Sequence, residues 1–352
     1  CFTAEWIEQV SSELHYNDKN LIEKVIRALS LLEMLVKAGC PLVFKGGTAL
    51  MLILGKSAHR LSIDIDLICP PGTNIEDYLK SFADFGFINL ELVERKQRDD
   101  ADIPKSHSKF FYQIAYRNDT DAQSYILLDV LYEDIHYFRT QQIAINCPFI
   151  RLEGKPLMVT VPSAEDILGD KLTAFAPNTT GIPYYRNGRS CSMEIAKQLY
   201  DVGRLFENVS DLQITKEAFR KIAVVELSYR SFGTDIGQVF NDIRQTALCI
   251  STRGKAGEGD FDLIQDGIIR VKSFMYKQRY LIDHAIIDAA RAAYLATLIE
   301  KGINEIESYS NNPADIKDMV IRPSLPNKLN KLRSNLPEAY YYWAKTSELL
   351  EA

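Results

Sequence analysis

The chain has 352 residues, 46% of them hydrophobic and 25% charged, with a formal net charge of −6. That composition gives two or three domains room for a core and is not that of a disordered chain. The mildly acidic balance argues against a protein that coats nucleic acid, although a local basic groove is still compatible with it. Six cysteines (Cys1, Cys40, Cys69, Cys147, Cys191, Cys249) are scattered singly. Their spacing speaks against zinc ribbons and secreted disulfide frameworks, so reduced, mostly buried thiols in a cytoplasmic protein are expected. No apolar run approaches the ~18–20 residues of a membrane helix, so no membrane segment is expected. The chain starts at Cys1 rather than a methionine, so the lack of a leader says little about location.

In chain order, residues 3–38 read as helical. Asn17 or Asp18 is placed to cap an amphipathic run through Leu35, and Gly39 stops it. A short strand, Leu42 to Phe44, precedes Lys45-Gly46-Gly47 and a helix from Thr48 to Leu54. From Leu61 to Leu67 the residues alternate: Leu61, Ile63, Ile65 and Leu67 on one face, Arg60, Ser62, Asp64 and Asp66 on the other. Asn74 to Phe85 reads as a helix. Strands are expected at Phe87–Glu94, Phe110–Tyr116, Tyr125–Tyr132, Gln142–Ile145 and Pro156–Val161, with a polar hairpin tip over 97–108. Ser163 with Asp166 forms a capping box for a helix to Phe175. A loop follows over 177–189, and then helices over 193–206, 216–227, 234–248 and a long region 261–301. The domain reading is an α/β unit over 1–161 and a helical unit over 162–352.

The working face of the Leu61–Leu67 alternation carries two carboxylates. On one strand they repel, and a divalent cation would hold them, since Mg²⁺ favours one or two carboxylates completed by substrate phosphates. The glycine pair between strand and helix offers backbone N–H groups to an anion. Phosphate loop and carboxylates lie within about twenty residues, the scale of one strand–loop–helix–strand unit. Asp129, in Leu127-Leu128-Asp129-Val130-Leu131, is either a third metal carboxylate or a residue on an exposed strand face.

Glycine pair, spacer, paired aspartates and a later strand aspartate resemble the minimal nucleotidyltransferase core of the DNA polymerase β superfamily. The wording Lys-Gly-Gly-Thr-Ala-Leu followed by Arg-Leu-Ser-x-Asp-Ile-Asp-Leu is similar to its AbiEii/AbiGii toxin branch, over about residues 40–205. The resemblance implies a mixed sheet with flanking helices and a helical C-terminal domain. It implies an NTP substrate whose triphosphate lies over Gly46, Gly47 and Thr48, with Lys45, Arg60 and Ser62 nearby. Asp64, Asp66 and, less closely matched, Asp129 would hold Mg²⁺ or Mn²⁺. Lys171, in Lys171-Leu172-Thr173-Ala174, matches the branch's helical lysine and would meet phosphate charge. Asp201 matches an acidic residue on the following helix, or simply pairs with Lys197. The implied acceptor is the tRNA 3′ end or another RNA, and the implied partner is a cognate antitoxin. NMP transfer to a protein hydroxyl and a non-catalytic nucleotide-binding protein are the competing readings.

Arg60 either touches phosphate or offsets the carboxylates. Lys45 precedes the glycines, which is the wrong order for a Walker A loop. The five histidines (His15, His59, His107, His136, His284) show no metal spacing and read as surface or internally satisfied residues. Tyr184, Tyr185, Arg186 and Arg189 with Asn178 and Asn187, and the basic stretches Lys272/Lys277/Arg279 and Arg322/Lys328/Lys331/Arg333, offer RNA contacts or ordinary solvated surface.

Overall fold

The computed structural model describes residues 1–93, 105–117, 122–209, 211–230, 233 and 235–352. The hairpin tip expected over 97–108 lies outside the described residues up to 104, and 105–108 belong to a strand. The chain forms two compact units, one of residues 1–163 with 273–278, the other of 164–272 with 279–352.

The first unit is built on a five-stranded mixed sheet. Its strands are β1 (Val43–Lys45), β2 (Ile65–Cys69), β3 (Asn89–Val93), β4 (Lys105–Gln113) and β5 (Gln123–Tyr132), in the order β1-β2-β5-β4-β3. Only β2 and β5 run parallel; the other pairings are antiparallel. Helices α1 (Ala4–Leu14) and α2 (Lys19–Lys37) make up the N-terminal helical region. Asp18 caps α2 by accepting from the Leu21 N–H at 3.0 Å, as a short acidic side chain does at an N-cap. The apolar stripe of α2 meets Phe44, Ile65, Leu67, Phe110, Leu128 and Val130 in one core, so α2 covers one face of the sheet. Helix α3 (Gly46–Leu54) starts directly on the glycine pair, and a hairpin of β6 (Thr140–Ala144) and β7 (Met158–Pro162) lies beside β1.

The helix expected over 74–85 does not form. Two 3₁₀ turns, Ile75–Tyr78 and Phe82–Phe85, stand in its place. Asn74 makes no side-chain cap, and its amide donates to Asp77 at 3.2 Å instead. Leu79 and Ile75 are buried nonetheless, because apolar positions four apart can be seated by short turns as well as by a helix.

Residues 273–278, read from sequence as part of a long helical region, return to the first unit. Leu61 donates its N–H to Phe274 O at 2.8 Å and Tyr276 donates to His59 O at 3.0 Å. Tyr276 also donates its hydroxyl to Ala58 O and packs edge-on to Phe149. This strap holds the backbone just before β2.

The second unit is helical: α4 (Ala164–Ala174), α5 (Ser192–Phe206), α6 (Leu212–Tyr229), α7 (Ile236–Ser251), α8 (Phe261–Val271), α9 (Ile282–Lys301), α10 (Leu332–Asn335) and α11 (Pro337–Glu351), with a small hairpin of β8 (Tyr185–Arg186) and β9 (Arg189–Ser190). Alanine-rich α9 packs against α5, α7 and α11. A Cβ on Gly203 would lie 2.1 Å from the Asp288 carboxylate, so glycine is what lets α5 approach α9 there. Among the described residues no helix is long and apolar enough to cross a membrane, and all six cysteines are free.

Candidate active site

Strand register assembles a row of polar side chains across the sheet. Lys45 of β1 lies opposite Asp66 of β2, Asp66 lies beside Asp129 of β5, and Asp129 lies opposite His107 of β4. Registered partners project to the same face. Their chain neighbours Phe44, Leu67 and Val130 point into the core under α2, so the row occupies the opposite face. Adjacent strands are ~4.8 Å apart, which brings the Asp66 and Asp129 carboxylates side by side from separate parts of the chain.

The glycine pair sits on these groups. Gly46 has φ +78°, and a Cβ there would lie 2.1 Å from Asp66 Oδ2. A Cβ on Gly47 would lie 2.7 Å from Ser62 Oγ and 3.0 Å from an Arg60 guanidinium nitrogen. The expected residues Gly46, Gly47, Arg60, Ser62 and Asp66 are therefore brought together. Strand β2 begins only at Ile65, so Arg60 to Asp64 reach this position as an irregular segment braced by the strap. The expected burial of Leu61, Ile65 and Leu67 is present all the same. Arg60 is itself buried and donates to Leu61 O at 3.0 Å, a contact that turns its guanidinium against the glycines.

Thr48 is fully buried, and its hydroxyl donates to Asp64 O at 2.7 Å. That bond ties the start of α3 to the residue carrying the first carboxylate. Thr48→Val keeps the shape and leaves the Asp64 carbonyl without this donor. A loss of about 1–3 kcal/mol is expected in urea unfolding, with Thr48→Ser close to the parent.

Asp129 is not on its own. His107 donates from Nδ1 to Asp129 Oδ1. Among the described residues no three His, Cys, Asp or Glu side chains converge as a ready-made metal cage. The donor set is two adjacent carboxylates with Asp64 two residues before Asp66. It suits a hard cation completed by water and substrate phosphates rather than an all-protein cage. Lys45 extends its ammonium to 5.8 Å from the Tyr137 ring centroid.

In the second unit Lys171 and Asp201 form an ion pair at 3.1 Å, with side chains 8% and 2% exposed. Lys171 also donates to Gln198 Oε1 at 3.0 Å. The two residues singled out on α4 and α5 are thus each other's partners. Of the expected loop contacts, Asn178 is committed to the buried Asp242 carboxylate through its backbone and side-chain amides, at 2.9 and 2.8 Å. Tyr185, Arg186 and Arg189 are exposed on the small hairpin. Near the C-terminus Arg333 donates to Ile316 O at 3.0 Å, Lys328 donates to Lys255 O, and Arg322 pairs with Glu351 at 3.5 Å. Each of these three side chains thus has a partner within the second unit.

Sequence reading missed His107, whose place depends on the β4–β5 register. It also missed Tyr125, on the same face of β5 as Asp129 and 39% exposed. Lys24 and Lys109 place their ammonium groups 5.4 and 5.5 Å from its ring centroid. Burial lowers the Lys24 pKa, and the Asp64 and Asp18 carboxylates oppose that shift. Lys24 is thereby marked as a neighbour of the first carboxylate. An exposed aromatic with flanking lysines is a pattern that spacing along the chain could not reveal.

Solved structures similar over most of the chain include three bacterial proteins. JHP933 from Helicobacter pylori shares 17% identity, covering 82% of this chain and 92% of that one, at a TM-score of 0.39. A putative nucleotidyltransferase from H. pylori shares 17% over 82% and 95%, at 0.37. MenT4, a nucleotidyltransferase toxin from Mycobacterium tuberculosis H37Rv, shares 15% over 84% and 89%, at 0.42. These TM-scores are too low to carry function. No curated protein sequence matches the chain. The family model described as nucleotidyl transferase AbiEii toxin, type IV toxin–antitoxin system, matches residues 29–315. With that match spanning most of its length, the chain belongs to the AbiEii nucleotidyltransferase toxin family.

Proposed function

We propose that this nucleotidyltransferase moves NMP from an NTP to the 3′ hydroxyl of an RNA acceptor, tRNA by family resemblance, and so blocks translation. The observation that carries the reading is the pairing of Asp66 and Asp129 across β2 and β5, directly beneath Gly46. The acceptor hydroxyl oxygen attacks the α-phosphorus and gives up its proton to solvent water, the bond from the α-phosphorus to the oxygen bridging to the β-phosphate breaks, and pyrophosphate leaves. Gly46 and Gly47 seat the triphosphate by backbone N–H groups at the start of α3, and Lys45, Arg60 and Ser62 surround it. Asp64, Asp66 and Asp129 would hold Mg²⁺ or Mn²⁺, which when bound stabilises charge on the attacking and leaving oxygens. The resemblance extends a phosphate-directed role to Lys171, with Asp201 as its partner.

An RNA acceptor is supported by Tyr125 with Lys24 and Lys109, since exposed aromatics beside cations suit bases and backbone of a single strand. A cognate antitoxin and a cytoplasmic setting follow from the same family reading.

Incubation with each α-labelled NTP, Mg²⁺ and total tRNA tests the proposal. Label is expected on tRNA, and Asp66→Asn is expected to lower the rate by about 10²- to 10³-fold, a loss of the order seen when one electrostatic stabiliser of a transition state is removed. Label on protein in RNase-treated lysate, with none on RNA, would replace the RNA acceptor by a protein. No transfer to either, with Asp66→Asn indistinguishable from the parent, would remove the proposal.

A further inference from the structure

One oxygen of the Asp129 carboxylate is already engaged on the working face. His107, opposite it on β4, donates from Nδ1 to Oδ1. We propose that His107 is a positioning residue for Asp129. It fixes the rotation of the carboxylate and leaves Oδ2 as the oxygen available to a divalent cation shared with Asp66. The inference rests on the reading of Asp66 and Asp129 as the cation's ligands.

Three observations support it. The terminal torsion of an aspartate is broad, and Asp129 is 36% exposed, so packing alone does not hold its oxygens. The histidine is much more enclosed, with a side chain 10% exposed in the body of β4. A carboxylate only accepts, so the bond places the imidazole proton on Nδ1. Nε2 is buried and has no hydrogen-bond partner among the described residues. A histidine retained for packing or for its own hydrogen bonds would be expected to satisfy both nitrogens when buried. Here only the nitrogen facing Asp129 is used, which fits a residue whose task is to hold that carboxylate. Partners that orient ligands in this way typically change metal affinity 10- to 100-fold when removed.

The test is a Mn²⁺ titration of the full chain in the presence of a non-hydrolysable NTP analogue, with free Mn²⁺ read by electron paramagnetic resonance. His107→Ala is expected to raise the Mn²⁺ dissociation constant by about 10- to 100-fold. His107→Phe, which fills the same space without a donor, should do the same if the alanine variant folds poorly. His107→Asn puts an N–H near the position of Nδ1 and is expected to bind Mn²⁺ close to the parent. Urea midpoints report stability separately. Parent-like Mn²⁺ affinity in His107→Ala and His107→Phe, with binding lost in Asp129→Asn, would overturn the role of His107 and leave the ligand reading intact. Failure of His107→Asn to restore affinity would also overturn it. No Mn²⁺ binding by the parent chain would overturn both.

Discussion

Replacing Gly46 by alanine is expected to lower nucleotidyl transfer by at least ~100-fold, the effect of misplacing a reacting group by about 1 Å, while the protein stays folded. Two costs coincide at this position. The backbone is left-handed, with φ +78°, which costs an L-residue with a Cβ about 1–2 kcal/mol. The new Cβ would also lie 2.1 Å from Asp66 Oδ2 and 2.8 Å from its Cγ. Lys45 is held in register with Asp66 on β1 and β2, so the backbone has little freedom to retreat. The Asp66 carboxylate must swing away, and its alignment with Asp129 goes with it. Gly47→Ala is a gentler case. Its Cβ would meet Ser62 Oγ at 2.7 Å and the Arg60 guanidinium at 3.0 Å, both side-chain ends, so a smaller loss is expected. Rates measured beside circular dichroism melts check both. A Gly46→Ala enzyme with parent-like rate would mean that Asp66 is not where the chemistry occurs.

Asp201→Ala is expected to destabilise the protein by about 3–5 kcal/mol, the usual cost of removing one partner from a buried ion pair. The Lys171 ammonium is 3.1 Å from the Asp201 carboxylate, and both side chains are almost fully enclosed. Without the carboxylate a buried ammonium loses its compensating charge, and the remaining bond to Gln198 does not neutralise it. A loss of that size is a large fraction of the 5–15 kcal/mol that holds a typical domain together. The double variant Lys171→Met/Asp201→Leu removes both charges and is expected to recover much of the loss, because an apolar pair of similar volume avoids the desolvation penalty. Urea unfolding measures stability, and the same preparations serve for transfer assays. A stable double variant with normal transfer would confine Lys171 to a structural role. A stable but inactive one would support the role that the family resemblance gives it.

The parts of the site that a local pattern determines were legible in the sequence. Gly46, Gly47, Asp64 and Asp66 lie within one short stretch, and the alternation around Ile65 and Leu67 identifies the buried side because a strand has a period of two. Family membership was readable from the same residues. Asp129 was readable as an anomaly, a carboxylate in an apolar strand. Its partner was not, because the match of His107 to Asp129 is set by the register of two antiparallel strands, and a shift by one residue would have placed the histidine on the other face. The helix expected over 74–85 failed because tertiary seating of Ile75 and Leu79 needed only short turns, and local propensity yields to that. Residues 273–278 looked helical beside their neighbours. Their pairing with His59 and Leu61 is a long-range contact with no local signature.

That strap also imposes an order on how the protein comes into being. Tyr276 and Ala58, joined by a hydrogen bond, are 218 positions apart. A ribosome adds residues from the N-terminus, so both motif aspartates and the glycine pair emerge long before the segment that braces them. The nucleotidyl unit cannot be completed until residues 273–278 have been made. A translation product ending after the sheet would carry the glycine pair, Asp64, Asp66 and Asp129 and still lack the support of the backbone leading into β2. Chains that stop short of residues 273–278 would then carry the glycine pair and the aspartates on an unbraced backbone, and transfer is expected to begin only once that segment has been made.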